Sequence, residues 1–383
     1  MLHIPVHDLW WLAASGAGAR YVRLKVRHYR NVLRNARVPD ETCSLLRLQS
    51  LYGYNPHSLA SIRPGTATFT VPGIDGAIVY GEFGRVWLVA GDPLAHPNDV
   101  SKLVRAFLNS ASEVNRICAF VPATEKFARE AVKLGLNAVK IGASPYFDLA
   151  NWNPTGNHAK SLRAGVNQAT RAGVQVTLID HADDELREEA TALCFEWLKA
   201  RRSATAFGWL LSLDPFLHSE HKKIFAARTS QNQLVGIIAA SPMPLRNAWY
   251  LEDVLRRFDA PRGTADLLVV HTLKHLKGEG AMLATLGTSP LATDGIDNII
   301  SKGHPMVEHA LRIMAHRFNA FYNFKGLRRF KGKFVPSFWE SEYVLVQKGH
   351  FVPTQVASAI VRALVPGGVK EIVVRKAIRS LTG

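Results

Sequence analysis

One order of elements is written twice along this chain, and that repetition restricts the fold more than any single motif. Thr66–Val71 and Gly76–Tyr80 have the composition of strands and are separated by Pro72-Gly73, the pattern of an antiparallel pair. Arg85–Ala90 reads as a third strand, ended by Gly91-Asp92-Pro93. A helix from about Asn98 to Val114, a short apolar strand at Ile117–Val121 and a helix from Glu125 to Leu134 complete the first cycle. The second cycle starts with a long helix, Asp183–Arg201, whose acidic first turn suits the helix dipole. Strands at Lys223–Ala227, Leu234–Ala240 and Trp249–Val254 follow, then a helix over Gly263–Gly278, a strand at Met282–Leu286 and a helix at Pro305–Arg317. Hairpins interleaved with helices predict an α+β fold with mostly antiparallel sheets, present in two copies.

Between the copies, residues 157–173 predict a basic amphipathic helix with Lys160, Arg163, Asn167 and Arg171 at spacings of three and four. The expected organisation is an N-terminal basic and aromatic appendage (1–42), a first domain (43–175), a second domain (176–350) and an amphipathic basic tail (351–383). At the N-terminus, Trp10-Trp11 precede the basic stretch Arg20–Arg30, which suits either a membrane interface or an ordinary packed helix. The segment after Pro353 carries the same two readings.

With 383 residues the chain can build two cores, and 47% hydrophobic residues exclude a disordered protein. A net charge of +16 favours polyanionic partners, RNA or anionic lipid surfaces. Cys43, Cys118 and Cys194 have no metal-ligand spacing and fit a reducing compartment. No secretory signal and no apolar run of spanning length is present, which gives the expectation of a cytoplasmic protein. The sequence has no GxGxxG after a strand, no GxxxxGK[ST], no GxSxG and no HExxH, so dinucleotide, P-loop, hydrolase-elbow and zincin chemistries are not expected. His218 and His221 stand three apart without a third placed ligand, so no metal is expected.

Two segments carry chemistry. Asp253 and Arg256 lie at the end of a predicted strand, where they suit either a proton-handling pair or a structural salt bridge. The stretch Phe321–Phe334 packs Lys325, Arg328, Arg329, Lys331 and Lys333 among four phenylalanines and two glycines. That pattern suits a binding wall for an anion, or a surface helix whose cations reach outward.

Together with Pro336 and Trp339, the stretch Tyr250–Gly263 and Leu286-Gly287-Thr288-Ser289-Pro290-Leu291, this run resembles the cytosolic domain of phosphatidylglycerol lysyltransferases, the multiple peptide resistance factors, and their alanyl-transferring relatives. Tyr52-Gly53, Val89–Pro93, Lys140-Ile141-Gly142, Leu162-Arg163, Asn167 and Arg171–Val174 extend the resemblance over residues 48–346. It implies a tandem of two GCN5-related N-acetyltransferase-like domains. It also implies an aminoacyl-tRNA donor, an acceptor hydroxyl on phosphatidylglycerol or a related small molecule, no cofactor, no DNA partner, and peripheral contact with the inner face of the cytoplasmic membrane. Carried over by position, the catalytic residues are Asp253, Arg256 and Lys333, and Tyr322, Asn323, Arg328 and Lys331 line the pocket. Lys160, Arg163 and Arg171 face tRNA or lipid phosphate. Asn319 and Ala143 stand where relatives carry Glu, which implies a neutral aminoacyl group, a different acceptor or a different acyl donor. The competing expectation is an acyl-CoA or acyl-carrier-protein dependent transferase of the same fold, for which Gly263-Thr264-Ala265 matches only the end of the pyrophosphate loop. A third is a non-catalytic lipid- or RNA-binding module.

Overall fold

The structure, a computed structural model, describes residues 40–180, 183–200, 213–290, 324–347 and 353–364. The chain divides into two compact units, Met1–Ser44 and Leu45–Gly383. After α1 (Asp40–Tyr52) come β1 (Ala67–Phe69), β2 (Gly76–Phe83), β3 (Val86–Val89), β4 (Leu94–Ala95), α2 (Val100–Glu113), β5 (Ile117–Thr124), α3 (Glu125–Lys133) and β6 (Leu136–Asp148). Then follow α4 (Lys160–Arg171), β7 (Gln175–Ile179), α5 (Asp184–Ala200), β8 (Lys223–Arg228), β9 (Leu234–Met243), β10 (Ala248–Arg256) and α6 (Thr264–Gly278). The described elements end with β11 (Leu283–Thr285), β12 (Ser289–Pro290), α7 (Phe324–Gly332), β13 (Phe338–Gln347) and α8 (Pro353–Leu364).

The same crossover occurs in each half. β3 runs parallel to β5 with α2 between them, and β10 runs parallel to β11 with α6 between them. The strands before each crossover pair antiparallel, β1–β2–β3 and β7–β8–β9–β10. The α+β class expected from the sequence, a mostly antiparallel mixed sheet flanked by helices with its element order repeated, is the one observed.

Among the described residues the two halves share one sheet, ordered β1-β2-β3-β5-β13-β6-β11-β10-β9-β8-β7. β13, near the end of the chain, lies between β5 and β6 and pairs antiparallel with both. Its segment Tyr343-Val344-Leu345-Val346 is buried at every position, as a strand covered on both faces requires.

Helices cover both faces. On α2, Leu103, Val104, Phe107, Leu108 and Ala111 are buried, a helical stripe against β2, β3 and β5. α3 starts at Thr124, whose hydroxyl accepts the Phe127 N–H at 3.2 Å. α8 seats Val356, Ala359 and Ile360 against Val86, Leu88, Ile117 and Val344, so the described part of the amphipathic tail packs on first-half strands. In the second half α6 and α4 cover one face, with Phe225, Ile238 and Leu251. α5 covers the other, with Ile224, Ile237 and Leu255.

Candidate active site

The site is created by an irregularity in β10. Leu251 packs on the α6 face, and in a regular strand Leu255, four residues on, would do the same. Leu255 instead packs with α5, because the β9–β10 register shifts between Glu252 and Leu255 and Asp253 sits at φ +48°. One inserted residue turns the strand over, as a β-bulge does. An Asp tolerates that left-handed conformation better than a β-branched residue would. Ordinary alternation puts Glu252 on the α5 side; the bulge adds Asp253 to that side and moves Arg256 to the α6 side.

On the α5 side the two carboxyls meet a dense charge cluster. Lys222 pairs with Glu252, both side chains being buried, and Ser241 Oγ donates to Glu252 Oε1 at 3.0 Å. The Asp214 backbone N–H donates to the Asp253 carboxyl, and Arg63 lies within the field of Asp214, Glu252 and Asp253. Asp253 keeps some accessible surface as a residue, but its carboxyl is enclosed by protein. Burial, then the neighbouring Glu252, hold that carboxyl well above the usual carboxylate range. Cys194 on α5 is pushed up to about 12, by burial first and then by Asp253. It is no nucleophile. Asp214 and Cys194 line a cavity of about 220 Å³ with Phe195 and Phe216.

On the α6 side a second cavity, about 370 Å³, is lined by Arg256, Phe258, Arg262, Gly263, Asp266 and Phe330, among others. Lys333, just past α7, reaches Asp266 at 2.5 Å. Burial raises the Asp266 carboxyl, while Lys333 and then Arg256 oppose that rise. The arginine's own Nη1 donates to the carbonyls of Arg257 (3.0 Å) and Phe258 (3.5 Å). The result is a polar recess lined by Arg256, Arg262 and Asp266, with Lys333 held on the Asp266 carboxylate.

The structure therefore brings Lys333 and Arg256 to one carboxylate, Asp266, and sets Asp253 on the opposite side of the strand, against Asp214. Asp253 and Arg256 are not a salt bridge: the residues that perturb Asp253 are Glu252, Lys222 and Asp214. Lys331 is fully buried rather than lining either cavity. Its Nζ donates to the carbonyls of Gly287 (2.8 Å) and Thr288 (2.7 Å) and faces Glu342, which accepts from Ser144 Oγ at 2.7 Å. Burial lowers Lys331 to about 7 and raises Glu342 to about 7. Nearby His57 falls to about 4, through burial and then Lys331. Two lysines two residues apart thus go to different uses, Lys331 pinning a turn and Lys333 pairing with Asp266 of the recess.

Arg328 lies over the Trp339 ring, 4.6 Å from its centroid. Lys160, Arg163 and Arg171 are exposed on α4, where Arg163 also donates to the carbonyls of Pro154 and Gly156. Tyr322, Asn323 and Asn319 lie outside the described residues, and Ala143 is buried in β6 opposite Ser289 and Ser341. His218 Nε2 donates to the Ile62 carbonyl, and no metal-ligand cluster occurs among the described residues. Asp266, Arg262, Arg63, Lys222 and Asp214 were not expected as site residues. Asp266 alone left a sequence signal, an acid in the first turn of a helix that follows a strand ending in arginine.

The comparisons with known proteins agree with this architecture. The family model described as phosphatidylglycerol lysyltransferase, C-terminal, matches residues 48–346. The phosphatidylglycerol lysyltransferase of Bacillus subtilis (strain 168) is 24% identical over 273 residues, 71% of this chain and 31% of that protein. The chain thus spans about a third of the length of the curated relatives it matches. Among solved structures, L-PGS from Bacillus licheniformis superposes with a TM-score of 0.70 at 20% identity, covering 82% of this chain and 94% of the other. The C-terminal domain of an Agrobacterium fabrum protein provisionally assigned as a lysylphosphatidylglycerol synthetase gives 0.68 at 23% identity, covering 83% and 96%.

Proposed function

The chain belongs to the phosphatidylglycerol lysyltransferase C-terminal family, and we propose that it moves an aminoacyl group from aminoacyl-tRNA to a hydroxyl of an anionic phospholipid such as phosphatidylglycerol, or of a related small acceptor. The observation that carries this reading is the bulge in β10. It sets a protonated, enclosed carboxyl on one face and a cationic recess on the other, a few residues apart on one strand.

In the reaction the acceptor oxygen attacks the ester carbonyl carbon. A new ester C–O bond forms, the bond to the tRNA ribose oxygen breaks, and the acceptor's proton goes to that leaving oxygen. Asp253, holding its proton near neutrality, serves this transfer by donating to the leaving oxygen and recovering a proton from the acceptor. Lys333, Arg256 and Arg262, on the other face of the strand, supply positive charge for a phosphate of the donor or of the lipid rather than for the reacting carbonyl. Asp266 holds Lys333 in place. Lys160, Arg163 and Arg171 on α4 give an exposed basic face for donor phosphates. We further propose that residues 43–175 and 176–350 act as two acyltransferase-like domains, and that the protein works in the cytoplasm, peripherally at the inner face of the membrane. No helix among the described residues is long and apolar enough to cross a membrane.

The acyl-CoA alternative is disfavoured by the start of α6. A helix N-terminus that accepts pyrophosphate offers it positive potential. Here the cavity at the start of α6 carries the Asp266 carboxylate in the helix's first turn, which repels an anion.

The test is transfer of radiolabelled amino acids from a total charged-tRNA pool to phosphatidylglycerol vesicles, with RNase treatment as control. RNase-sensitive label in the chloroform phase supports the lipid acceptor, and label in a soluble acceptor from cell extract moves the acceptor. Transfer from acyl-CoA instead would overturn the reading.

A further inference from the structure

Between β10 and α6 the chain makes a turn whose tip is Phe258. At 84% exposure it is the most exposed large apolar side chain among the described residues. The turn is braced. Arg257 binds Asp259 (2.9 Å) and Glu196 of α5 (3.5 Å), and Arg256 donates to the carbonyls of Arg257 and Phe258. These contacts fix the backbone on both sides of Phe258, so the ring is held out in solvent.

Phe258 also lies on the rim of the cationic recess, beside Arg256 and Arg262. A diacyl phospholipid can bring its headgroup to that recess only if the mouth faces the bilayer, because its acyl chains stay in the hydrocarbon. An apolar ring flanked by arginines on that mouth matches an anionic bilayer surface: the ring enters the acyl boundary and the guanidiniums meet the phosphates. The chain's net charge of +16 has the sign this contact needs.

We infer that the β10–α6 turn, with Phe258 as its anchor and Arg256 and Arg262 beside it, is the surface by which this protein docks on an anionic membrane. This rests on the lipid-acceptor reading above and identifies the face of the molecule that meets the lipid.

The experiment is vesicle flotation of the full chain with phosphatidylglycerol–phosphatidylcholine vesicles and with pure phosphatidylcholine vesicles. Wild type, Phe258→Ser and Met282→Ser are compared. Met282 is also exposed (62%), but it follows α6 and hydrogen-bonds Asn247 just before the start of β10, at the far end of that strand from Phe258. Phe258→Ser is expected to weaken partitioning into the anionic vesicles about tenfold, the loss of one buried aromatic ring. Met282→Ser should match wild type, and none should float with pure phosphatidylcholine. Thermal melts guard against misfolding, and a solvated ring contributes little to the fold.

Equal partitioning of wild type and Phe258→Ser would overturn the inference. So would a Phe258→Ser defect in charged-tRNA binding with vesicle binding intact, which would make the turn an RNA contact. Flotation separates this inference from the reaction. Phe258-dependent flotation without lipid aminoacylation would keep the surface and remove the lipid-acceptor reading. Lipid aminoacylation in detergent by a protein that never floats would do the reverse.

Discussion

The two crossovers, β3–α2–β5 and β10–α6–β11, use the same topology for different ends. In the first, β3 is regular and pairs with β5 position by position from Val86 and Ile117 onward. Its acid, Asp92, is fully satisfied by the Thr124 N–H (3.0 Å) and hydroxyl (2.6 Å). That acid ties a loop to the strand end that caps α3. In the second, the strand is bulged and its acid is crowded by other carboxyls. The helix after it begins beside a cationic cavity rather than against an apolar wall. A regular strand lets its helix close down on it, whereas an inserted residue moves side chains to faces where packing cannot satisfy them. Chemistry in this molecule is expected where the regular pattern fails.

The sharpest way to break this comparison is to neutralise each acid in turn. Asp253→Asn is expected to lower single-turnover aminoacyl transfer by about 10²–10⁴-fold, the range for a lost acid–base group. Asp92→Asn should leave transfer within a few-fold and cost about 1–3 kcal/mol in urea unfolding. Comparable activity losses in the two variants would refute the division of labour.

Next in size is the contrast between two lysines on one segment. Lys333→Met is expected to reduce kcat/KM by about 10²-fold through weaker binding of an anionic substrate group, with unfolding stability changed less than activity. Lys331→Met strands the Gly287 and Thr288 carbonyls and should cost about 2–3 kcal/mol in a denaturant melt. If Lys331→Met were as stable as wild type, the pinned turn would not matter.

The helix starts give a smaller, purely structural contrast. Gly263→Ala places a Cβ against the Gly165 carbonyl at φ +86° and is expected to destabilise by at least about 2 kcal/mol. Asp99→Ala at the head of α2, where the side chain makes no capping bond, should cost less than about 0.5 kcal/mol.

The last contrast concerns pH. A carboxyl whose folded pKa is raised stabilises the fold below its unfolded value, near 4, and loses that contribution as pH rises to the folded value. For Asp253 the folded value is about 8. Wild type should therefore lose stability between roughly pH 4 and 8 relative to Asp253→Asn, seen as a falling Tm difference across that range. Parallel melting curves for the two proteins across that range would count against a protonated Asp253.

Much of this was legible in the sequence because the signals were local. Turn residues such as Pro72-Gly73 marked the hairpins, and the 3.6-residue apolar spacing of Leu103, Val104, Phe107 and Leu108 marked α2. Arg256 and Lys333 stand out in the sequence, and both act on the Asp266 carboxylate although far apart along the chain. The place of β13 was not legible, because strand neighbours separated by the length of a half leave no short-range mark. Neither was the bulge: a residue at φ +48° looks, in sequence, like any Asp in a strand. Lys331 and Lys333 differ only in where a helix end points them.

By itself the sequence determined the class of fold, its repetition, and a stock of cations and carboxyls near the second crossover, because periodicity, turn chemistry and charge act over a few residues. Only the tertiary structure decided which of those groups face each other. That depends on one inserted residue in β10, on α4 closing over the start of α6, and on burial, which sets whether a carboxyl keeps its proton or an ammonium holds a turn.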